Sequence, residues 1–166
     1  RCSRDWSSDV CSSDLFFSTY GSLTVFFTGI IIDIDTARGN IKWVSAGHPV
    51  QYLVRREECL RLGGRGRIIG VLSDPHFSVE SCPFEEDDRL ILYTDGILEQ
   101  INPAGEEYGE ARLTAVLERA DSGHDAKAIN EAILASLADF RGNEEQVDDV
   151  TIISIRNARR SRKTAR

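Results

Sequence analysis

Apolar residues follow two rhythms along this chain. From residue 23 to residue 94 they come in short runs of strand length; from 109 to 140 they recur every three to four positions, and a last short run returns after 149. The first rhythm predicts β-strands and the second predicts amphipathic helices. LTVFFTGIIIDI, 23–34, reads as a long strand, followed by the turn DTARGN with Gly39-Asn40 at its end. IKWVSAG, 41–47, is the next strand. His48-Pro49 break it, QYLVRR, 51–56, resumes, and Glu57-Glu58 turn the chain into CLRLG. Links this short cannot make parallel crossovers, so the early strands predict an antiparallel meander. GGRGRIIGVLSD, 63–74, is glycine-rich and is expected to be a mobile loop. FSVESCPFE, 77–85, alternates weakly, and Leu90, Ile91, Leu92 and Tyr93 form a further apolar strand.

The helical rhythm comes late. GEARLTAVLERA, 109–120, places Leu113, Val116, Leu117 and Ala120 on one face, and HDAKAINEAILASLADF, 124–140, places Ile129, Ile133, Leu137 and Phe140 on another. Both stripes predict core contacts. VTIISIR then closes the domain as a strand. Many strands, two helices and one strand predict an α+β domain with helices packed on an antiparallel sheet.

Composition narrows the class. A chain of 166 residues, 41% of them hydrophobic, suits one domain with a real core. The net charge of −7 gives the domain as a whole no basic face for nucleic acid. No apolar run reaches the roughly 18 residues of a membrane span, and no signal peptide is recognisable. Residues 1–15, RCSRDWSSDVCSSDL, lack helix or strand period and read in frame as translated sequencing-adapter DNA. They are expected to be a disordered artefact, leaving a domain at 16–156 and a basic, disordered tail at 157–166. Outside the suspect segment only Cys59 and Cys82 remain, with no CxxC spacing, so no zinc site or disulfide framework is predicted. Such thiols suit a reducing, cytoplasmic setting.

Candidate chemistry lies at strand ends. Asp95-Gly96 stops the apolar run 90–93, and Asp148-Asp149 stands directly before the last strand. Carboxylates at such edges suit a hard divalent cation, Mg2+ or Mn2+. On the residues alone, a hairpin turn at Asp95-Gly96 and a strand-edge charge at Asp148 remain open. Asp33 reads as a solvent-facing residue at a strand end. His48 reads as a turn residue with a locally bonded imidazole, with a general acid as the alternative, and His124 as a surface residue near a helix start. Glu99 reads as a solvated turn residue, with reach to a metal-bound water as the alternative. Arg65 and Arg67 read as part of a solvated loop, with contact to a phosphoprotein as the alternative.

AGHP at Ala46–Pro49, LILYTDGILEQ, the Tyr108-Gly109 helix start and DDVT at Asp148–Thr151 occur in fixed order. Together they resemble the C-terminal two-thirds of the SpoIIE/RsbU-like branch of the PPM (PP2C-type) serine/threonine phosphatases, from about Leu23 to Arg156. The resemblance implies part of an α-β-β-α sandwich with antiparallel sheets. It also implies a site where two Mn2+ or Mg2+ ions activate a water that attacks a phosphoserine or phosphothreonine. By this resemblance Asp95 is a metal ligand and Gly96 allows close backbone approach beside it. Asp148 is the second ligand and Asp149 orients it, with the choice between the adjacent aspartates left open. The family's two earlier acidic motifs are not found upstream of AGHP. The chain is therefore expected to be an N-terminally truncated member, inactive as it stands. The implied substrate is a phosphorylated STAS-type anti-sigma-factor antagonist in bacterial partner-switching signalling. The alternative is a catalytically inactive pseudophosphatase, or protein-binding module.

Overall fold

The computed structural model describes residues 26–56, 58–64, 66–70, 76–119 and 125–158. The expected artefact at 1–15 and all of the basic tail but Asn157 and Ala158 lie outside them. Among the described residues the elements are β1 (Gly29–Asp35), β2 (Asn40–Ala46), β3 (Gln51–Arg55), β4 (Glu58–Leu62), β5 (Glu80–Pro83) and β6 (Arg89–Tyr93). Helices α1 (Gly109–Arg119) and α2 (Ala126–Arg141) and strand β7 (Ile152–Arg156) follow. The α+β class and the antiparallel sheets are as the sequence predicts. The chain divides into two compact units, one of Arg1–Val50 with Leu62–Glu85, the other of Gln51–Arg61 with Glu86–Arg166.

In the first unit, β1 and β2 form the expected hairpin, paired antiparallel from Asp35↔Asn40 to Gly29↔Ala46. The long strand expected at 23–34 is shorter, and its start falls partly outside the described residues. The meander is corrected after β2. The place beside β2 is taken by β5, with Ile41 opposite Cys82, giving the order β1-β2-β5. The chain after His48-Pro49 therefore opens a separate sheet.

The mobile loop at 63–74 is also corrected for its described part. The Trp43 indole N–H donates to Gly63 O at 2.7 Å, Gly47 N–H to Gly66 O at 3.0 Å, and Ile69 exchanges backbone bonds with Phe27. A Cβ on Gly66 would sit 1.7 Å from Ser45 O, so only glycine lets this segment lie flush on β2. Its glycines mark close backbone packing. Ile69 then joins Val44 and Ala46 in a small core, with Phe27, Ile31 and Phe77 against it.

The second unit holds the sheet β4-β3-β6-β7. Leu53, Val54, Leu90 and Ile91 are fully buried there. The helical stripes behave as their spacing predicts: Leu113, Leu117, Ile129 and Ile133 are at 0% exposure and Leu137 at 7%. Each such aliphatic side chain contributes about 1.5–3 kcal/mol of burial free energy. Val116 and Phe140 are half-buried, and Ala120 lies outside the described residues. Asp125 caps α2 by accepting from Ala128 N–H at 2.8 Å. Ser154 of β7 donates to Asn130 Oδ1 of α2 at 2.6 Å, fixing helix on strand. An unforeseen ion pair lies inside this unit: Arg55 Nε and Nη2 meet the two oxygens of Asp88 at 2.9 and 2.7 Å, and Asp88 is 1% exposed.

Candidate metal centre

The pairing of β6 with β7 decides where the acidic residues go. The two strands run antiparallel from Arg89↔Arg156 to Tyr93↔Ile152. In that arrangement the end of one strand lies beside the start of the other. Asp95, just past β6, and Asp148-Asp149, just ahead of β7, thus share one end of the sheet within the second unit.

A threonine clip holds the two segments together. Thr94 N–H donates to Thr151 O at 3.2 Å, and Thr151 N–H returns a bond to Thr94 Oγ1 at 2.9 Å. The Thr94 hydroxyl also donates to Asp149 O at 3.0 Å. Gly96 brings the backbones closer still. A Cβ there would lie 2.6 Å from Asp149 O and 3.2 Å from the Asp148 carbonyl carbon. These contacts are to backbone, which cannot swing away as a side chain would.

The carboxylates differ in their surroundings. Asp95 is half-buried and opens a short 3-10 turn, Asp95–Ile97, with Gly96 and Ile97 buried. Its carbonyl accepts from Leu98 N–H at 2.7 Å and Glu99 N–H at 3.0 Å. Its carboxylate takes no hydrogen bond among the described residues. Asp148 is exposed; its Oδ1 accepts Asp149 N–H at 2.7 Å, and its carbonyl accepts from Gln146 Nε2 at 2.8 Å. Asp149 is exposed, with its carbonyl held by Thr94. Among the described residues no group of three or more His, Cys, Asp or Glu is placed to hold a metal ion.

Two glutamines at this end of the sheet were not singled out from the sequence. Gln51 is fully buried; its Oε1 accepts Tyr93 N–H at 2.7 Å and its Nε2 donates to Tyr93 O at 3.3 Å, steadying β6 before Asp95. Gln100 is fully buried and bonds to the segment ahead of Asp148. Only their polarity inside apolar or turn surroundings could have marked them. Burial pushes the Tyr52 hydroxyl up to about 12, with Glu110 adding to the rise, and raises Tyr93 as well, so both phenols stay neutral.

The remaining candidates lie elsewhere. His48 Nδ1 is 3.3 Å from Thr28 Oγ1, 20 positions away in the chain, so this bond is not the local one expected of it. Glu99 and Arg67 are exposed, while Arg65 and His124 lie outside the described residues. Asp33 is half-buried near the end of β1, opposite Lys42. Asp35 accepts from the backbone of its own turn. The Cys59 thiol is pushed up to about 11, first by burial and then by Glu118, so it does not supply a nucleophilic thiolate near neutral pH.

The fold is that of a PP2C-type phosphatase domain. The SiaA-PP2C domain of Pseudomonas aeruginosa superposes with a TM-score of 0.79 at 24% identity, over 90% of this chain and 60% of that one. Residues 10–158 match the family described as Stage II sporulation protein E (SpoIIE), and the chain belongs to that family. Protein IcfG of Synechocystis is 27% identical over 146 residues, and phosphoserine phosphatase RsbP of Bacillus subtilis is 35% identical over 83 residues. Those matches take in 87% and 45% of this chain but only 23% and 19% of the two relatives. No helix among the described residues is long and apolar enough to cross a membrane.

Proposed function

We propose that this chain is part of the catalytic domain of a metal-dependent protein serine/threonine phosphatase. Asp95 and Asp148 give carboxylate oxygens to a divalent cation, Mn2+ or Mg2+, with Asp149 orienting the pair. The observation that carries this reading is the β6–β7 pairing, with Gly96 seated against the Asp148-Asp149 backbone. The donors fit a hard cation. They are all oxygen, they are reachable by solvent, and the Asp95 carboxylate is not spent on a bond to any described residue. They form one side of a coordination shell.

When bound, the cations supply charge neutralisation at the phosphate and a lowered pKa for water. The protein's own part is positional. The threonine clip fixes the two acidic segments, Gly96 sets their approach, and Gln51 steadies the strand that delivers Asp95. No serine or cysteine nucleophile is needed, which agrees with the weakly acidic Cys59. Phosphoryl transfer asks mainly for this kind of positioning.

The substrate is a phosphorylated STAS-domain anti-sigma-factor antagonist within a bacterial cytoplasmic partner-switching circuit. Membership of the SpoIIE family and similarity to a phosphoserine phosphatase support this choice. The test is incubation of the protein that carries this domain with a serine-phosphorylated STAS domain. Phosphate release should require Mn2+ or Mg2+ and stop with EDTA; release that continues in EDTA would falsify the metal reading. Binding of the STAS domain with no hydrolysis under any metal would establish the inactive binding module instead.

A further inference from the structure

Two carboxylates can serve one cation only at a fixed separation. The threonine clip anchors the segment that follows Asp148, because its bonds run to Asp149 and Thr151. Something must also anchor the segment ahead of it. The side chain of Gln100 does so. Its Nε2 donates to Glu145 O at 3.0 Å and to Ile101 O at 3.1 Å, and its Oε1 accepts Val147 N–H at 3.4 Å. Gln100 is at 0% exposure, so its side of these bonds is shielded from water.

The other end of Gln100 is firmly held. Its carbonyl accepts Tyr108 N–H at 2.8 Å. Tyr108 is 1% exposed, its hydroxyl bonds Ser136 Oγ of α2 at 2.8 Å, and its ring meets Phe140 edge-on at 5.3 Å. Gln100 therefore runs from the packed helical layer to the exposed loop at 145–149, a few residues past Asp95.

We propose that Gln100 is a positioning residue. It fixes the 145–149 loop against the turn that carries Asp95, and so sets the separation of the Asp95 and Asp148 carboxylates on which cation affinity depends. This rests on reading those two aspartates as ligands. The amide is chemically specific to the task. A glutamate of the same size could still accept from Val147 N–H but has no N–H for the carbonyls of Glu145 and Ile101.

The experiment compares Mn2+ binding, by calorimetry, in the protein that carries this domain and its Gln100→Ala, Gln100→Glu and Asp95→Asn variants. Amide hydrogen exchange is followed in the metal-free proteins alongside. Both Gln100 variants should bind Mn2+ about 10-fold more weakly or worse, as partners of metal ligands do on loss. Val147 and Asp149 amides should exchange faster without metal, while Leu90 and Leu92 of β6 keep their protection. Gln100 variants with wild-type affinity and wild-type exchange, beside an Asp95→Asn protein that no longer binds, would overturn this proposal and leave the ligands standing. Wild-type affinity in Gln100→Glu alone would reduce the residue to a space-filler and overturn it too. A wild-type chain that binds no Mn2+ removes the ligand reading and this inference together. Should a variant fail to fold, the metal-free wild type decides: a Val147 amide that exchanges as in a free peptide overturns the staple, and a protected one supports it.

Discussion

Asp35 and Asp95 each stand where a strand gives way to a turn, yet their carboxylates are spent differently. Asp35 serves its own turn: Oδ1 accepts Ala37 N–H at 3.0 Å and Arg38 N–H at 2.9 Å, and Oδ2 pairs with the Arg38 guanidinium at 2.8 Å. The Arg38 backbone N–H, and then its side chain, hold that carboxyl below the ordinary aspartate value of 3.8. Asp95 offers only its carbonyl to the turn that follows. Its carboxylate takes no bond from any described residue, and other residues keep its segment in place. The first aspartate is a self-contained turn device. The second is held by a scaffold that asks nothing of its side chain, and that is what a ligand requires.

The sharpest way to break this comparison is to remove each charge in turn. Asp95→Asn should lower Mn2+ affinity by at least about 100-fold, since even outer partners of a metal site cost 10- to 100-fold. Asp35→Asn should leave it unchanged. Equal losses in the two variants, measured by calorimetric titration, would dissolve the distinction.

Gly96→Ala comes next. Its new methyl meets the Asp149 carbonyl at 2.6 Å, and forcing backbone apart costs about 1–3 kcal/mol. Denaturant unfolding in the absence of metal should show that loss. A variant as stable as the wild type would mean that the two acidic segments are not locked together.

Thr94→Val tests the clip with a smaller expected effect. It keeps the shape but removes the hydroxyl that serves Asp149 O and Thr151 N–H, at a cost of about 1 kcal/mol. Amide exchange at Thr151 should quicken in step; an unchanged rate would argue that Thr94 is ornamental.

The smallest effect concerns pH. Because the folded-state pKa of Asp35 lies below its unfolded value, its stabilising share is present above pH 3.8 and fades as pH falls through the lowered folded value. The stability gap between wild type and Asp35→Asn should therefore be widest at neutral pH and narrow toward pH 3. A gap that widens on acidification would reverse the sign and reject the assignment.

Much of this was legible in the sequence, for identifiable reasons. The helical stripes Leu113/Leu117 and Ile129/Ile133/Leu137 are periodic, and periodicity survives tertiary context. The Asp95 and Asp148 segments were marked by acids at the edges of apolar runs, and their adjacency follows once β6 and β7 are paired. What the sequence hid were partnerships with no local period. Nothing in the links around β2 says that β5 will take the place beside it. The glycines of 63–70 look like flexibility and act as clearance for Ser45. Gln51, Gln100 and the Arg55–Asp88 pair look like ordinary surface residues until long-range packing buries them.

The threonine clip carries one more consequence, for the order in which this molecule forms. Thr94 and Thr151 are 57 positions apart along the chain. Closing so large a loop costs entropy that two or three hydrogen bonds do not repay. Helices that fold and pack first shorten the loop left to close, and α2 bonds β7 through Asn130 and Ser154. On that order the acidic pair assembles late, and metal uptake would follow helix packing rather than seed it.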